Sequence, residues 1–138
     1  LKQSAEGSLI NGKNDNLLVS FISPSVHLNI FSSPIPLKMQ QEATDLFNSK
    51  QKIKSFINSI APSPLHKVLG FKLVVINGRK FLEVKSVTPT LKTKKINWIT
   101  FYKNNMISIS GTSPIKEFEE TLPFIIDFNN SIKFDPFG

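Results

Sequence analysis

The sequence has no cysteine. Disulfides, thiolate nucleophiles and cysteine-ligated zinc or iron–sulfur centres are excluded together, although a cysteine-free chain is at home in either redox environment. Arginine is nearly missing as well, since Arg79 is the single arginine among 17 basic residues. Bidentate recognition of phosphate and guanine favours arginine over lysine. A net charge of +7 carried by lysine therefore reads as a solvated surface, and no nucleic-acid partner is expected. Histidine is limited to His27 and His66, in neither an HxxxH nor an HExxH pattern, so no metal site is expected on them. The sequence contains no GxSxG elbow, no GxxxxGK(S/T) loop and no GxGxxG turn. Nor does any apolar run approach the ~20 residues that span a bilayer, so a membrane-crossing helix is not expected.

What remains describes an ordinary folded domain. The 138 residues are 40% apolar and 20% charged, which suits one hydrophobic core and is short for two. Residues 1–16 are polar with an Asn11-Gly12 turn signal and are expected to be a loosely held lead-in, with residues 17–138 forming a single domain. Because the chain starts at Leu1, a removed targeting segment is an expectation of the reading.

Hydrophobic periodicity divides that domain. Leu17 to Ile22 is strand-like and stops at Pro24, and Val26 to Phe31 alternates as a second strand before SSPIP breaks the chain. From Leu37 to Ile60 the period becomes helical: Met39, Ala43, Leu46, Phe47, Ile53, Ile57 and Ile60 form one stripe, which slips near Asn48-Ser49. Pro62 and Pro64 stop that helix. Val68 to Ile76, the turn pair Asn77-Gly78, and Arg79 to Thr88 make a hairpin. After a lysine-rich loop over residues 89–95, Ile96 to Tyr102 and Met106 to Ser110 are two more strands, joined by Lys103-Asn104-Asn105. Four consecutive strands on short links predict an antiparallel meander. Ser113 as N-cap and Pro114 at the first helical position predict a second helix, with Glu117, Glu119 and Glu120 near the positive end of its dipole and Pro123 kinking it. Residues 131–134 close the chain as a short strand. The order ββ–α–ββββ–α–β predicts an α+β fold, an antiparallel sheet packed with two helices.

Candidate functional residues follow from strand parity. If Ile99, Phe101, Ile107 and Ile109 face the helices, then Trp98, Tyr102 and Lys85 lie on the other face of the sheet, where an aromatic pair beside lysines suits docking. The alternative is that Trp98 is ordinary core. Lys92, Lys94 and Lys95, in the loop before the third meander strand, extend the candidate partner-binding set; Lys50, Lys52 and Lys54 on the first helix form a second, solvated cluster. Glu83 reads as the exposed position of a half-buried strand, or as a buried carboxylate of raised pKa that could serve a lyase or hydrolase together with a histidine. No nucleophile, base and orienting group occur as a set, and no catalytic residue, cofactor or enzyme activity is expected.

Four segments resemble the Mog1/PsbP-like family, which includes the extrinsic oxygen-evolving protein of photosystem II. DNLLVSFISPS resembles its "NLNVxVTP" strand, and IFSSP its "YGSPEEF" helix entry. VVINGRKFLEVKSVT resembles the "xGGKxYYxLxV" hairpin, and residues 96–134 the closing run of strand, turn, strand, "xAPExxW" helix start and "SFxV" end. These patterns cover residues 15–134 in order. The chain departs from the family in lacking its first "GFxVxVPxxW" strand and in carrying Phe118 where many members have tryptophan. The resemblance implies a non-enzymatic extrinsic or assembly subunit on the lumenal side of a photosynthetic membrane complex, docked on larger subunits in the thylakoid lumen. The alternative it implies is a bacterial module of the same fold, a secretion-effector chaperone or a periplasmic lipoprotein.

Overall fold

The computed structural model describes residues 9–10, 17–23, 25–35, 45–60, 67–102 and 104–134. The expectations resting on Asn11-Gly12, Pro24, Met39, Ala43, Pro62, Pro64, His66 and Lys103 lie outside the described residues. The elements are β1 (Leu9–Ile10), β2 (Leu17–Ile22), β3 (His27–Pro34), α1 (Lys50–Ile60), β4 (Lys67–Ile76), β5 (Arg79–Thr88), β6 (Thr93–Tyr102), β7 (Asn105–Pro114), α2 (Phe118–Asn130) and β8 (Lys133–Phe134). Six strands form one antiparallel sheet in the order β2-β3-β7-β6-β5-β4, and β1 pairs with β8 in parallel. The four-strand meander is β4 to β7, and the β2–β3 hairpin docks on its β7 side.

Turn chemistry explains the meander. Asn77 and Gly78 both take positive φ, 53° and 79°, as a two-residue hairpin turn requires. The β6–β7 link is also a two-residue turn, with Asn104 at φ 63° and Tyr102 opposite Asn105. That last register overturns the expected parity. A three-residue turn at 103–105 would have set Ile99 opposite Ile109; the shorter turn sets Trp98 opposite Ile109 and Thr100 opposite Ile107. One residue of slip moves every side chain of a strand to the other face.

The two helices consequently lie on opposite faces of the sheet. On one face α2 brings Phe118, Ile125 and Phe128 onto Leu28, Ile30, Ile96, Trp98, Ile107 and Ile109. On the other, α1 sets Ile53 and Ile57 against Leu82, Val84 and Ile99, with Phe101 packed at the margin. The expectation that Ile99, Phe101, Ile107 and Ile109 share one helix-covered face is thus wrong, and no face is left bare through the middle of the sheet. Gly111 is what lets α2 come so close. A Cβ built there would lie 2.5 Å from Ile125 Cγ2.

Element ends differ from expectation in instructive ways. The slip near Asn48-Ser49 is a true break: Leu46–Asn48 is a short 3-10 turn, and Ser49 is extended at φ −140° and ψ 121°. Ser49 then opens α1, its Oγ accepting the Lys52 N–H at 3.3 Å. Ser113, by contrast, is not the cap of α2. It belongs to β7, a 3-10 turn over Ile115–Glu117 intervenes, and the Ser113 Oγ meets Thr121 Oγ1 at 3.1 Å. Strand β3 continues past the expected break, because Ser32 and Pro34 find partners in Ile107 and Asn105. Pro123 falls inside α2 without ending it.

Candidate functional site

The expected aromatic pair sits in the core. Trp98 is 2% exposed and donates its indole N–H to Glu83 Oε1 at 3.0 Å. Tyr102 is buried too, with the Arg79 guanidinium 5.1 Å from its ring centroid. Neither side chain reaches the surface, so the reading of Trp98 and Tyr102 as a docking pair is corrected. Burial of a large aromatic ring needs a partner for its polar atom, and Glu83 supplies one. Glu83 also lies 3.8 Å from Lys72 Nζ at the sheet margin, so its carboxylate is engaged structurally. His27 alternates out of phase with Leu28 and Ile30 and stands on the α1 face, whereas Glu83 stands on the α2 face. The sheet separates this carboxylate from this histidine.

The lysines fare differently. The link between β5 and β6 is shorter than expected, because Lys94 and Lys95 belong to β6 and only Lys92 lies in the turn. The turn is held by Leu91 N–H to Thr88 O and Lys92 N–H to Pro89 O, both 3.1 Å, and Lys92 O accepts the Ile115 N–H at 2.9 Å. Alternation sends Lys94 and Lys95 to opposite faces. Lys94 Nζ lies 4.7 Å from the Phe118 ring centroid and 3.9 Å from Glu119, pinning it to the start of α2. Lys85 is half-buried on the same face, opposite Ile96. Lys50, Lys52 and Lys54 are all exposed on α1.

Lys95 is half-buried on the α1 face, and burial pulls its pKa below the ordinary 10.5 because water no longer stabilises the ammonium. The unfolded chain holds a proton there at pH values where the folded chain has released it. Stability therefore rises with pH between the lowered value and 10.5, and the charge-burial penalty is fully present below that window. Lys95→Met should be more stable than the parent at neutral pH, and the difference should narrow as pH climbs toward 10.5. Urea titrations of both proteins across that range check it, and a difference independent of pH would refute the cause.

Around this turn the structure gathers apolar and cationic groups. Leu91 is 71% exposed and Ile115 is exposed as well, with Lys92, Lys95 and Lys116 beside them in the chain. Register brings the start of β4 to the same end, since Lys67 opposes Val87. From there β4 runs along the sheet edge for ten residues, pairing among the described residues only with β5. Its Val68, Leu69, Leu73 and Val75 are exposed, Val75 at 68%. A long edge strand with apolar side chains in water invites pairing with another chain, and the Val68/Gly70 bulge and Lys67 and Lys72 are the devices that restrain it. Sequence reasoning missed this edge, although the first strand of a meander is an edge whenever the N-terminal hairpin docks at the meander's far side.

Among the described residues no helix is long and apolar enough to cross a membrane, and no three metal-ligating side chains cluster. No family model matches the chain, and no curated protein matches its sequence. Solved structures do match. The chain is similar to cyanobacterial PsbP (CyanoP) from Synechocystis sp. PCC 6803, with TM-score 0.55 and 11% identity over 87% of this chain and 75% of that one. It is also similar to PA94 from Pseudomonas aeruginosa, described as a protein of unknown function and putative regulator, with TM-score 0.62 and 8% identity over 90% of this chain and 86% of that one. The chain therefore has a PsbP-like α+β fold, an antiparallel sheet packed with two helices.

Proposed function

We propose that this protein is a non-enzymatic accessory subunit that docks on the lumenal side of a photosynthetic membrane complex of the photosystem II type. The observation that carries the docking role is the exposed apolar edge of β4, continuous in register with the lysine-bearing end of the sheet. Exposed apolar groups rimmed by polar ones mark contact surfaces, and extended partners add to a bare edge strand through backbone hydrogen bonds. The lysines supply the steering. Lys67, Lys85, Lys92, Lys94, Lys95 and Lys116 stand against Glu117, Glu119 and Glu120 at that end, within a chain of net charge +7. A positive field of this kind raises the rate of encounter with an acidic surface. The likeness to CyanoP supports the photosynthetic setting.

The test is rebinding of the purified chain to salt-washed thylakoid membranes turned lumenal face out. Binding at low salt and release near 1 M salt are expected, because the screening length falls to about 3 Å there. Reversing the exposed Lys92 and Lys116 to glutamate should weaken retention by about tenfold, each lost contact removing up to ~1 kcal/mol. Retention that ignores both salt and these charges would contradict the electrostatic part of the reading.

A second reading is favoured by the likeness to PA94, which spans 86% of that bacterial protein. Here the same edge serves a bacterial binding module, an effector chaperone or a periplasmic lipoprotein. A precursor with an ordinary secretory signal or a lipobox supports it, and a bipartite lumenal targeting peptide supports the first.

A further inference from the structure

The β4–β5 hairpin carries most of the chain's charge imbalance. Residues 67–88 hold five cations, Lys67, Lys72, Arg79, Lys80 and Lys85, against the single acid Glu83, a net +4 of the whole chain's +7. Glu83 is already engaged by the Trp98 N–H and by Lys72. The sheet edge that β4 forms is therefore positive as well as apolar.

The two kinds of group are sorted onto the two sides of the strand. Phe71 packs on the α1-side cluster, and Leu73 and Val75 follow it at alternate positions, opposite Leu82 and Lys80. Leu73 is 39% exposed and Val75 68%. Val74 and Ile76 pack on the α2-side cluster instead, and Lys72 shares their side with 68% of its side chain exposed. Hydrogen bonding follows the same alternation. The two-residue turn at Asn77-Gly78 makes Ile76 and Arg79 a hydrogen-bonded pair. Alternation then bonds Val74 and Lys72 to β5 as well, and it turns the peptide groups of Phe71, Leu73 and Val75 outward, toward the edge. Among the described residues no strand pairs with them there. The residues that offer backbone groups to a partner are thus the ones with apolar side chains on the α1 side.

We infer that β4 accepts an extended acidic segment as an added antiparallel strand, one that alternates apolar and acidic residues. Its apolar side chains lie beside Leu73 and Val75, and its carboxylates lie beside Lys72. Antiparallel addition continues the pairing of the whole sheet, and it makes the apolar residues the ones that exchange backbone bonds with β4. A second copy of this chain is disfavoured as the occupant, since each copy brings +4 to the shared edge. The inference names the partner chemistry of the β4 docking role and rests on that role.

The test titrates the isotope-labelled chain with a blocked heptapeptide that alternates glutamate and valine, beginning and ending on glutamate. Saturable downfield shifts are expected at the amides of Leu73 and Val75, larger than those at Lys72 and Val74. A peptide with lysine in place of glutamate, and one of the same composition with its glutamates contiguous, should each bind about tenfold more weakly. Methylating the valine amides should abolish binding, whereas methylating the glutamate amides, which point to solvent, should leave it within about twofold. Lys72→Ala should weaken the glutamate peptide about threefold and leave the lysine peptide no weaker. Val75→Pro should abolish binding in a folded domain, because an edge strand tolerates proline where the N–H faces outward. If that variant fails to fold, the methylated peptides test the same contact.

Equal binding of the glutamate and lysine peptides, or equal loss on methylating either set of amides, would overturn the inference. So would dimerisation of the chain through β4 in place of peptide uptake. Absence of saturable shifts up to about 10 mM peptide would overturn it too, and salt-sensitive retention of the same chain on thylakoid membranes would then leave the docking role standing without this partner chemistry. Peptide uptake with the stated phase but no membrane retention would uphold the inference and refute the photosynthetic setting.

Discussion

Trp98→Ala is expected to destabilise the domain by about 3–5 kcal/mol, the usual cost of deleting a fully buried aromatic side chain. The residue stands at the centre of the α2 face, 2% exposed, opposite Ile109 on β7 and Glu83 on β5. Removing it opens a void and also strips Glu83 of its indole donor. Small domains carry only about 5–15 kcal/mol in total, so the variant should unfold at much lower urea concentration. Trp98→Phe retains most of the apolar volume and loses the hydrogen bond, so a smaller cost of about 1–3 kcal/mol is expected. A Trp98→Ala change within about 0.5 kcal/mol of neutral, as for a surface site, would mean that the ring lies on an open face and the β6–β7 register is wrong.

Gly111→Ala is expected to cost about 2–3 kcal/mol, a large penalty for adding one methyl group. The reason is the close approach of α2 to β7, with Ile125 Cγ2, Cγ1 and Cδ1 at 2.5, 2.8 and 2.9 Å from the position of the new atom. Ile125 is fully buried and branched at Cβ, so it has little freedom to swing away. The double-mutant cycle isolates the effect. Ile125→Ala alone should destabilise by about 2–5 kcal/mol by leaving a cavity. In that background Gly111→Ala should cost nothing or should stabilise, because the three clashing atoms are gone. Additive costs in the two backgrounds would show that α2 does not rest on β7 as described.

Much of this fold was legible from local signals. Asn77-Gly78 marked its hairpin because positive φ at two successive residues is a demand few other pairs meet. The slipping apolar stripe before Ile53 marked a helix break, which Ser49 realises. Register was less accessible. The run Lys103-Asn104-Asn105 reads equally well as a turn of two or three residues, and the choice decides whether Ile109 faces Ile99 or Trp98. Alternation within one strand is visible in a sequence, but the phase between two strands depends on turn geometry. That phase puts Ile107 and Ile109 on the Trp98 and Tyr102 face, and α2 covers that face, so the pair is core.

The lysine flank was half legible for a related reason. Lys92, Lys94 and Lys95 read as one loop cluster, yet the strand begins early enough to place Lys94 and Lys95 within β6 and on opposite faces. The apolar edge of β4 left no local trace, since KVLGFKLVVI reads the same in a central strand as at an edge. Position in the sheet, set by where β3 docks, makes that side chain set exposed.

The docking role is tested most directly by hydrogen exchange of the chain in its free and membrane-bound states. Docking through the β4 edge predicts slowed exchange along Lys67–Ile76 and around Leu91 and Lys92 on binding, reversed when salt releases the chain. Bound protein whose protection falls instead on β2 or the outer side of α2, with β4 exchanging as freely as before, would contradict it.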